Sequence, residues 1–572
     1  MRRQRSHSPP GWTLAAVVLQ VLWAVGVGAQ PWPQAPLVPK PPLVAAVVGP
    51  QGSGNATFQQ YIDHANPGLG TFSQRYWWNT SHWRGPGSPI VLFTPGETTA
   101  DGYQGFMTNS TLVGQYAQAI GGATILFEHR YWGESSPFEV LDTQNLTYLT
   151  LQNSVDDLVH FARTVKLTFD TSGRSNAPAA PWINVGASYS GALAAWTERL
   201  SPGTFWAYHA SSGPVQAVYD YWSYFVPVEK GMPQNCSADM ARIADHVDQV
   251  LDGNDADEIA CLKNMFGLAD VEHADDFASA VSGPLGIWQS VQLFTRYSAF
   301  YQMCDSMEGV RPVKINGTDV MWSNFTTVRN DTAPATGVGL KTALANYAKW
   351  FKYEWLPDTC SEYGYADWRD SNSVGCFDSY NTSSPYLSDV KVNNTVNRQW
   401  LWMVCNEPFF YWQTGAPNDR PSIVPRHVSA EYYQRQCGLL FPEQGNSTFG
   451  SGAGKTAEMV NSLTSGWHLT NTTRLIWVNG EFDPWRSASV SSEFRPGGPL
   501  QSTSEVPVFL MLGARHCNDM NVRSGQVNDE VGRTQEAVIK VVQEWVADFY
   551  KLKPRWGARS AKFRPRPEGW VR

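Results

Sequence analysis

Short apolar runs alternate with amphipathic segments in two separate parts of the chain. Continuous apolar runs, typical of strands buried on both faces, lie at residues 89–93, 122–127, 182–185, 473–478 and 506–512. Two earlier segments, 58–64 and 71–78, alternate polar and apolar residues and predict an antiparallel edge of the same sheet. Helices are predicted at 150–167, 191–200 and 534–550. This alternation of strands and helices predicts an α/β fold.

The pattern changes between the two parts. Residues 203–394 read as mainly helical, as in 238–251 and 338–351. An insertion of this size after the helix 191–200 would form a cap over the segment that precedes it. The predicted organisation is a first α/β part at 47–202, the helical cap insertion at 203–394 and a second α/β part at 395–552.

The ends of the chain have compositions of their own. A basic start, an apolar stretch at 12–28 and small residues at Val27–Ala29 predict a secretory signal peptide at 1–29, with a signal anchor as the alternative. Residues 30–46 are rich in proline and predict an extended linker or pro-segment. The basic tail at 553–572 is expected to be disordered. Because no later run of about 20 apolar residues follows, no membrane span is expected.

Glycosylation sequons and cysteines agree with a secretory route. The Asn-x-Ser/Thr sequons are Asn55, Asn79, Asn109, Asn145, Asn235, Asn316, Asn324, Asn330, Asn381, Asn393, Asn446 and Asn471. N-glycans are therefore expected. The 8 cysteines form an even set that could make four disulfides in an oxidising compartment, all after residue 188. An extracellular location is predicted, with a vacuole or lysosome as the alternative.

Charge and motif content disfavour several functions. The net charge of −8 disfavours nucleic-acid binding. The histidines are scattered, and neither CxxC nor HExxH spacing occurs, so no metal and no cofactor are expected.

The segment 181–196 joins a predicted strand to a helix through a tight turn. Gly186 permits the turn, Ser188 lies at its apex and Gly191 lies at the start of the helix, while Ser190 stands where the second glycine of a G-x-S-x-G motif is usual. This is the pattern of a nucleophile elbow, which holds a serine hydroxyl clear of the sheet and within reach of a base. A strand-to-helix turn without a catalytic role has the same pattern. The two interpretations are distinguished by whether a suitable acid and histidine occur later in the chain.

Two later loops supply candidate partners. Hydrolases of this type order their residues as serine, acid and histidine, with each partner after a strand. Asp483 and His516 each follow one of the apolar runs. His516 would take the proton of Ser188 and return it to the leaving group, while Asp483 would orient the imidazole. Glu481 is the competing acid.

Other site residues are predicted from their positions. The backbone N–H groups of Tyr189 and of Gly96 or Glu97 are candidates for an oxyanion hole, with a plain Pro-Gly turn as the alternative at 94–97. Glu97 and Phe410 are expected to line the substrate pocket, although most rings of the aromatic segment 400–412 are expected to be core.

The loop at 128–135 is dense in polar and aromatic residues. We expect a buried hydrogen-bonded network in which Arg130 pairs with an acid, rather than the lining of a cleft.

These segments together resemble the prolyl-specific serine peptidases, which comprise lysosomal Pro-Xaa carboxypeptidase, lysosomal dipeptidyl peptidase and fungal prolyl endopeptidases. The matching segments are Phe58-x-Gln-x-x-Asp-His64, Thr71-Phe-x-Gln-Arg-Tyr76, Glu128-His-Arg-Tyr-x-Gly-Glu-Ser135, Gly186-x-Ser-Tyr-x-Gly191, Asn479-Gly-x-x-Asp-Pro-Trp485 and Gly513-Ala-x-His516. The forms Thr94-Pro-Gly-Glu97 and Asp101-Gly-Tyr103 look most like the fungal endopeptidases, which act on proteins at acidic pH.

The resemblance implies an α/β-hydrolase fold with a helical cap and cleavage of peptides after proline. It places the nucleophile at Ser188, the acid at Asp483 and the base at His516, and it implies that Trp485 lines a proline pocket. Two departures concern that pocket and the end-specificity: Ala192 stands where some members have methionine, and Pro95-Gly96-Glu97 replaces the Asn-Glu-Gly of the exopeptidases.

The resulting hypothesis is a secreted prolyl endopeptidase that acts on proline-containing peptides or proteins. Carboxypeptidase and dipeptidyl peptidase modes are the first alternatives. An esterase or lipase, and a non-catalytic binding protein on the same fold, are the others.

Overall fold

The computed structural model describes residues 52–295, 297–315, 318–320 and 334–556. The predicted signal peptide, the proline-rich linker, most of the predicted tail and the sequons at Asn316, Asn324 and Asn330 lie outside these residues. In the described ranges, no helix is both long and apolar enough to cross a bilayer.

Strands form at all five apolar runs of the sequence and at both alternating segments. The strands are β1 Ser53–Tyr61, β2 Thr71–Asn79, β3 Ile90–Phe93, β4 Ala123–Phe127, β5 Trp182–Ala187, β6 Ala207–Ser211, β7 Val218–Asp220, β8 Val313–Ile315, β9 Thr318–Val320, β10 Phe410–Trp412, β11 Leu475–Gly480 and β12 Val508–Met511. Eight of them form one sheet in the order β1-β2-β4-β3-β5-β6-β11-β12. The six strands from β4 to β12 run parallel, while β1 and β2 form the predicted antiparallel edge.

The helices are α1 Leu112–Ile120, α2 Thr143–Leu146, α3 Leu151–Thr164, α4 Tyr189–Leu200, α5 Phe225–Gly231, α6 Gln234–Gly253, α7 Ala256–Phe266, α8 Ala274–Ser282, α9 Ala299–Met307, α10 Leu340–Trp350, α11 Pro385–Ser388, α12 Arg398–Asn406, α13 Ala430–Leu440, α14 Ala457–Thr464, α15 Val522–Val527 and α16 Asp529–Trp556. The last helix extends into the predicted tail.

Alternate residues of the central strands face opposite sides of the sheet, so both sides carry a core. Val91 and Phe93 pack in one cluster with residues of α1 and α16. Ile90 and Leu92 pack in the other, with residues of α3, α4 and the helices that follow β6. The architecture is that of an α/β-hydrolase, with a mainly helical region between β6 and β11.

Both predicted boundaries of the helical insertion, 203 and 394, differ from the structure, because α12, α13 and α14 also lie before β11. The predicted insertion began at residue 203, but Ala207–Ser211 is a strand of the main sheet and pairs with both β5 and β11. The helical region therefore begins only after β6. The strand escaped prediction because its sequence, Ala-Tyr-His-Ala-Ser, is not an apolar run.

Three disulfides fasten the helical region, rather than the four that the cysteine count allowed. They join Cys236 to Cys304, Cys360 to Cys376 and Cys405 to Cys437. The remaining two cysteines are free: Cys261 is exposed on α7, and Cys517, the residue after His516, is buried.

The loop at 128–135 forms a buried network, as predicted. Arg130 Nε donates to Asp157 Oδ2 at 2.7 Å, and His64 Nε2 lies 2.8 Å from Asp157 Oδ1. Although burial raises it, Arg130 and His64 hold the pKa of Asp157 below its usual value. His129 Nε2 lies 3.2 Å from the hydroxyl of Tyr189, which links this loop to the first residue of α4.

Candidate active site

Ser188 lies between the end of β5 and the start of α4. Its backbone has φ 64° and ψ −131°, in the left-handed half of conformational space that residues other than glycine rarely adopt. Its N–H donates to the carbonyl of Ser211 at 2.8 Å, which ties the turn to the end of β6. The turn therefore has the strained geometry of a nucleophile elbow.

Glycine is required on both sides of this turn because the strand and the helix approach each other closely. A Cβ at Gly186 would lie 1.8 Å from the carbonyl oxygen of Ser190, and one at Gly191 would lie 2.6 Å from that of Ser211. Ser190 fits at the usual second glycine because its hydroxyl donates to the carbonyl of Ala187 at 2.7 Å.

The elbow meets the two later loops in a hydrogen-bonded series. Ser188 Oγ lies 2.7 Å from His516 Nε2, and His516 Nδ1 lies 2.9 Å from Asp483 Oδ1. All three side chains are fully buried. This arrangement can remove a proton from the serine hydroxyl and stabilise the resulting imidazolium with the carboxylate.

Asp483, and not the competing Glu481, is the acid beside the histidine. Asp483 Oδ1 also accepts the N–H of Trp485 at 3.0 Å, which fixes the orientation of the carboxylate. Glu481 instead accepts the N–H of Gly513 at 2.8 Å, so it supports the loop that carries His516.

A second layer of polar residues holds the His516 loop, and sequence reasoning missed it. The N–H of Cys517 donates to Ser212 Oγ at 2.9 Å. Asp519 accepts the hydroxyl of Ser211 at 2.5 Å and lies 3.1 Å from His209 Nε2. These contacts join the loop to the end of β6, whose Ser211 carbonyl also accepts the N–H of Ser188.

The loop after β3 lies against the elbow, where a second oxyanion donor is expected. A Cβ at Gly96 would lie 3.3 Å from the ring of Tyr189, and the φ of Gly96 is 81°. The N–H of Gly96 lies 3.3 Å from Thr94 Oγ1, which is a long hydrogen bond.

Glu97 is an unusual feature of this loop. Its side chain is fully buried, and neither carboxyl oxygen has a hydrogen-bond partner among the described residues. Burial raises the pKa of Glu97 well above its usual value. Burial raises the pKa of the neighbouring Tyr189, and the negative charge of an ionised Glu97 raises it as well.

Trp485 lies in a cage of aromatic rings next to the histidine. Its ring centroid is 5.3 Å from that of Tyr411, 5.4 Å from Tyr224 and 6.5 Å from His516. Its indole N–H donates to Gln289 Oε1 at 2.8 Å, and Gln289 also accepts the hydroxyl of Tyr224 at 2.9 Å. The helical region thus supplies the residues that hold the indole.

Phe410 does not belong to this cage. Its ring packs on Tyr219 at 5.0 Å and on Trp412 at 5.8 Å, whereas the next residue, Tyr411, contacts Trp485. Phe410 and Tyr411 both have φ 57°, a left-handed conformation that no sequence pattern signals in aromatic residues. Of these two neighbours, Tyr411 and not Phe410 makes the ring contact with Trp485.

Ser188, His516 and Asp483 have no exposed surface, and the helical region reaches the site through Gln289, which bonds Trp485. Within the described ranges, no three histidine, cysteine, aspartate or glutamate side chains are grouped as a metal site would require.

The fold is that of the α/β-hydrolases, and comparison with known proteins narrows the class. The family profile described as Serine carboxypeptidase S28 matches residues 60–390 and 376–537. The chain belongs to this family of serine peptidases.

Its relatives include fungal proteins. "Serine protease vicPb" of Bipolaris victoriae is 45% identical over 498 residues, which cover 87% of this chain and 90% of the relative. "Probable extracellular serine carboxypeptidase" of Arthroderma benhamiae is 29% identical over 486 residues, covering 84% of this chain and 64% of the relative. Among solved structures, proline iminopeptidase of Mycobacterium smegmatis aligns at 10% identity and TM-score 0.33, over 86% of this chain and 99% of its own.

Proposed function

We propose that this serine peptidase hydrolyses peptide bonds on the carboxyl side of proline, as an endopeptidase active in acid. The observation that carries the catalytic assignment is the unbroken series from Ser188 through His516 to Asp483, at 2.7 and 2.9 Å. Ser188 is the nucleophile, His516 the base and Asp483 the residue that orients it.

The reaction proceeds in two halves. His516 Nε2 takes the proton of Ser188 as the hydroxyl attacks the carbonyl carbon, and then gives that proton to the departing amine. Water then attacks the acyl-enzyme on Ser188, and His516 takes a proton from the water and returns it to the serine oxygen. The N–H of Tyr189, with that of Gly96 or Glu97, stabilises the oxyanion.

The aromatic cage supports a preference for proline. Trp485 offers a flat apolar face beside His516, and a pyrrolidine ring can pack on such a face. Proline lacks a backbone N–H, so its burial leaves no donor unpaired. Tyr411, rather than Phe410, is assigned as the second wall.

The buried carboxyl of Glu97 supports activity in acid. While it stays protonated it adds no negative charge near the oxyanion donors. As the pH rises through its raised pKa, the carboxylate would oppose the charge that develops in the transition state.

The proposed setting is outside the cell. Three disulfides among the described residues suggest an oxidising route. The basic and apolar start is assigned as a signal peptide, and the sequons are assigned as N-glycan sites. The helical region after β6 is assigned as a cap that limits which substrates enter.

A panel of three proline peptides tests the mode of cleavage. One peptide is blocked at both ends with proline inside, one has a free carboxyl group one residue after proline, and one has a free amine one residue before proline. The endopeptidase assignment predicts turnover of the doubly blocked peptide, with a higher kcat/KM at pH 5 than at pH 8. Cleavage of only the free-carboxyl peptide would instead assign a carboxypeptidase, and of only the free-amine peptide a dipeptidyl peptidase.

Matched peptides with alanine in place of proline test the specificity. At least tenfold faster cleavage after proline is expected, because the methyl group of alanine cannot make the packing contacts of the proline ring. Equal rates would remove the proline assignment while leaving the peptidase intact. Rapid turnover of acyl esters without turnover of peptides would favour an esterase.

A further inference from the structure

Arg515, the residue before His516, is a buried cation without an acid. It is 8% exposed, and no carboxylate of the described residues lies within ion-pair distance of it. Its guanidinium lies over Trp288 at 4.4 Å, and its Nη2 donates to the hydroxyl of Tyr301. Its Nε has no hydrogen-bond partner.

The other buried arginines have an acidic partner or several hydrogen-bond acceptors. Arg130 forms an ion pair with Asp157, and Arg398 donates to three backbone carbonyls. A buried cation that lacks such partners costs stability, so its retention points to a partner that binds from outside. A guanidinium whose Nε–H has no partner is suited to a carboxylate, which an arginine can bind through two parallel hydrogen bonds.

The position of Arg515 indicates which part of a substrate it would meet. Trp288 contacts Arg515, and its indole donates to the carbonyl of Phe482, the residue before Asp483. The next residue, Gln289, holds Trp485. Arg515, in the loop after β12, therefore contacts the same segment of the helical region that holds Trp485.

His516 delivers a proton to the departing amine, so the residues after the cleaved bond lie on the histidine side of Ser188. We propose that Arg515 binds a carboxylate on the leaving-group side of the substrate. The carboxylate can be the free carboxyl terminus of a one-residue leaving group or the side chain of an aspartate or glutamate after the cleaved bond. This rests on the peptidase assignment and not on the preference for proline.

Two pairs of peptides separate the sources. The first pair is a blocked peptide that ends one residue after the cleaved bond, as the free acid or as the amide. The second is a longer peptide, blocked at both ends, with aspartate or asparagine directly after the cleaved bond. Values of kcat/KM are measured at pH about 5.5, where these carboxylates are ionised. We expect the wild type to prefer the charged member of at least one pair by about tenfold or more.

Arg515→Gln is expected to bring that ratio close to 1, and Arg515→Lys to retain part of it, because lysine keeps the charge but not the paired hydrogen bonds. Arg523→Gln is the matched control: Arg523 is exposed on α15, and its guanidinium lies over Phe294, a ring of the helical region close to Trp288 in sequence. It should leave the ratio unchanged.

A wild-type ratio near 1 in both pairs overturns the proposal, whether or not the variants fold. The proposal is also overturned if folded Arg515→Gln keeps the wild-type ratio of kcat/KM between the charged and uncharged peptides. If proline peptides are not cleaved, the same pairs are built on the residue that the enzyme accepts, so failure of the proline assignment and failure of this one give different results.

Discussion

Single residues of the site owe their chemistry to burial. Glu97 has a carboxyl group with no partner, and its pKa is raised by the loss of water. A sequence shows that a glutamate follows a Pro-Gly turn, but not that its carboxyl group is enclosed. The expectation that Glu97 belongs to the site came from its place after a strand, and its buried state comes from the fold.

Glu97→Gln is predicted to widen the pH range of activity towards neutral pH. Glutamine keeps the shape and neutrality of the protonated acid but cannot ionise. The ratio of kcat/KM at pH 7.5 to that at pH 5 should therefore rise about tenfold, the effect of ~1.4 kcal/mol of removed repulsion. Glu536→Gln, on the exposed side of α16, is the control and should leave the profile unchanged. A variant profile that falls at the same pH as the wild type would contradict this role.

The catalytic candidates were predictable as residues because order and loop position restrict them strongly. Ser188, Asp483 and His516 meet as the sequence predicted, and Glu481 does not. The pocket was less predictable. Gln289 belongs to a distant helical segment, and the backbone turn at Phe410 and Tyr411 decides which ring reaches Trp485.

At the scale of elements, the site depends on the close contact between β5, α4 and the end of β6. Gly191 packs on the carbonyl of Ser211, which is the group that accepts the N–H of Ser188. A side chain at Gly191 would therefore move the nucleophile as well as the helix.

Gly191→Ala is predicted to lower kcat/KM about 100-fold, since displacement of about 1 Å has that effect on positioned groups. Gly438→Ala is the matched control, because a Cβ at Gly438 in α13 meets nothing within 4 Å. It should keep full activity and gain up to ~1 kcal/mol in the free energy of unfolding, from the higher helix propensity of alanine. Full activity in folded Gly191→Ala would show that the elbow is not held in this way.

The elements that the sequence predicted have an apolar run or a regular apolar period. β6 does not, because His209 and Ser211 are buried through hydrogen bonds to Asp519 rather than through apolarity. Those bonds connect residues more than 300 positions apart, and no local pattern contains them. The same holds for the cysteines, whose even number could not reveal that Cys261 and Cys517 form no disulfide.

The whole molecule carries buried acids outside the site that favour an acidic medium. Burial raises the pKa of Glu198 to about 7, that of Glu308 to about 7 and that of Asp276 to about 6. Their normal values apply in the unfolded chain. At pH values between the unfolded-state and folded-state pKa of these acids, the folded protein binds more protons than the unfolded one. The free energy of unfolding therefore falls as the pH rises.

Thermal unfolding is accordingly predicted to occur at a higher Tm near pH 5 than near pH 8. Most of the loss should fall between pH 5 and pH 7, where these groups ionise in the folded state. Below about pH 4 the trend should reverse, because the paired Asp157, whose pKa is lowered, then becomes protonated. Glu308→Gln should flatten the curve between pH 5 and pH 7. A Tm that rises steadily from pH 5 to pH 8 would show that these acids do not control stability.

The proposed function depends on Ser188 being the nucleophile. The direct measurement is stoichiometric labelling with an organophosphate, followed by mass spectrometry of the modified peptide. We expect one phosphoryl group per chain, on Ser188, with loss of peptidase activity in step with labelling, and neither labelling nor turnover in folded Ser188→Ala. Labelling at another residue, or peptidase activity that survives in Ser188→Ala, would contradict it.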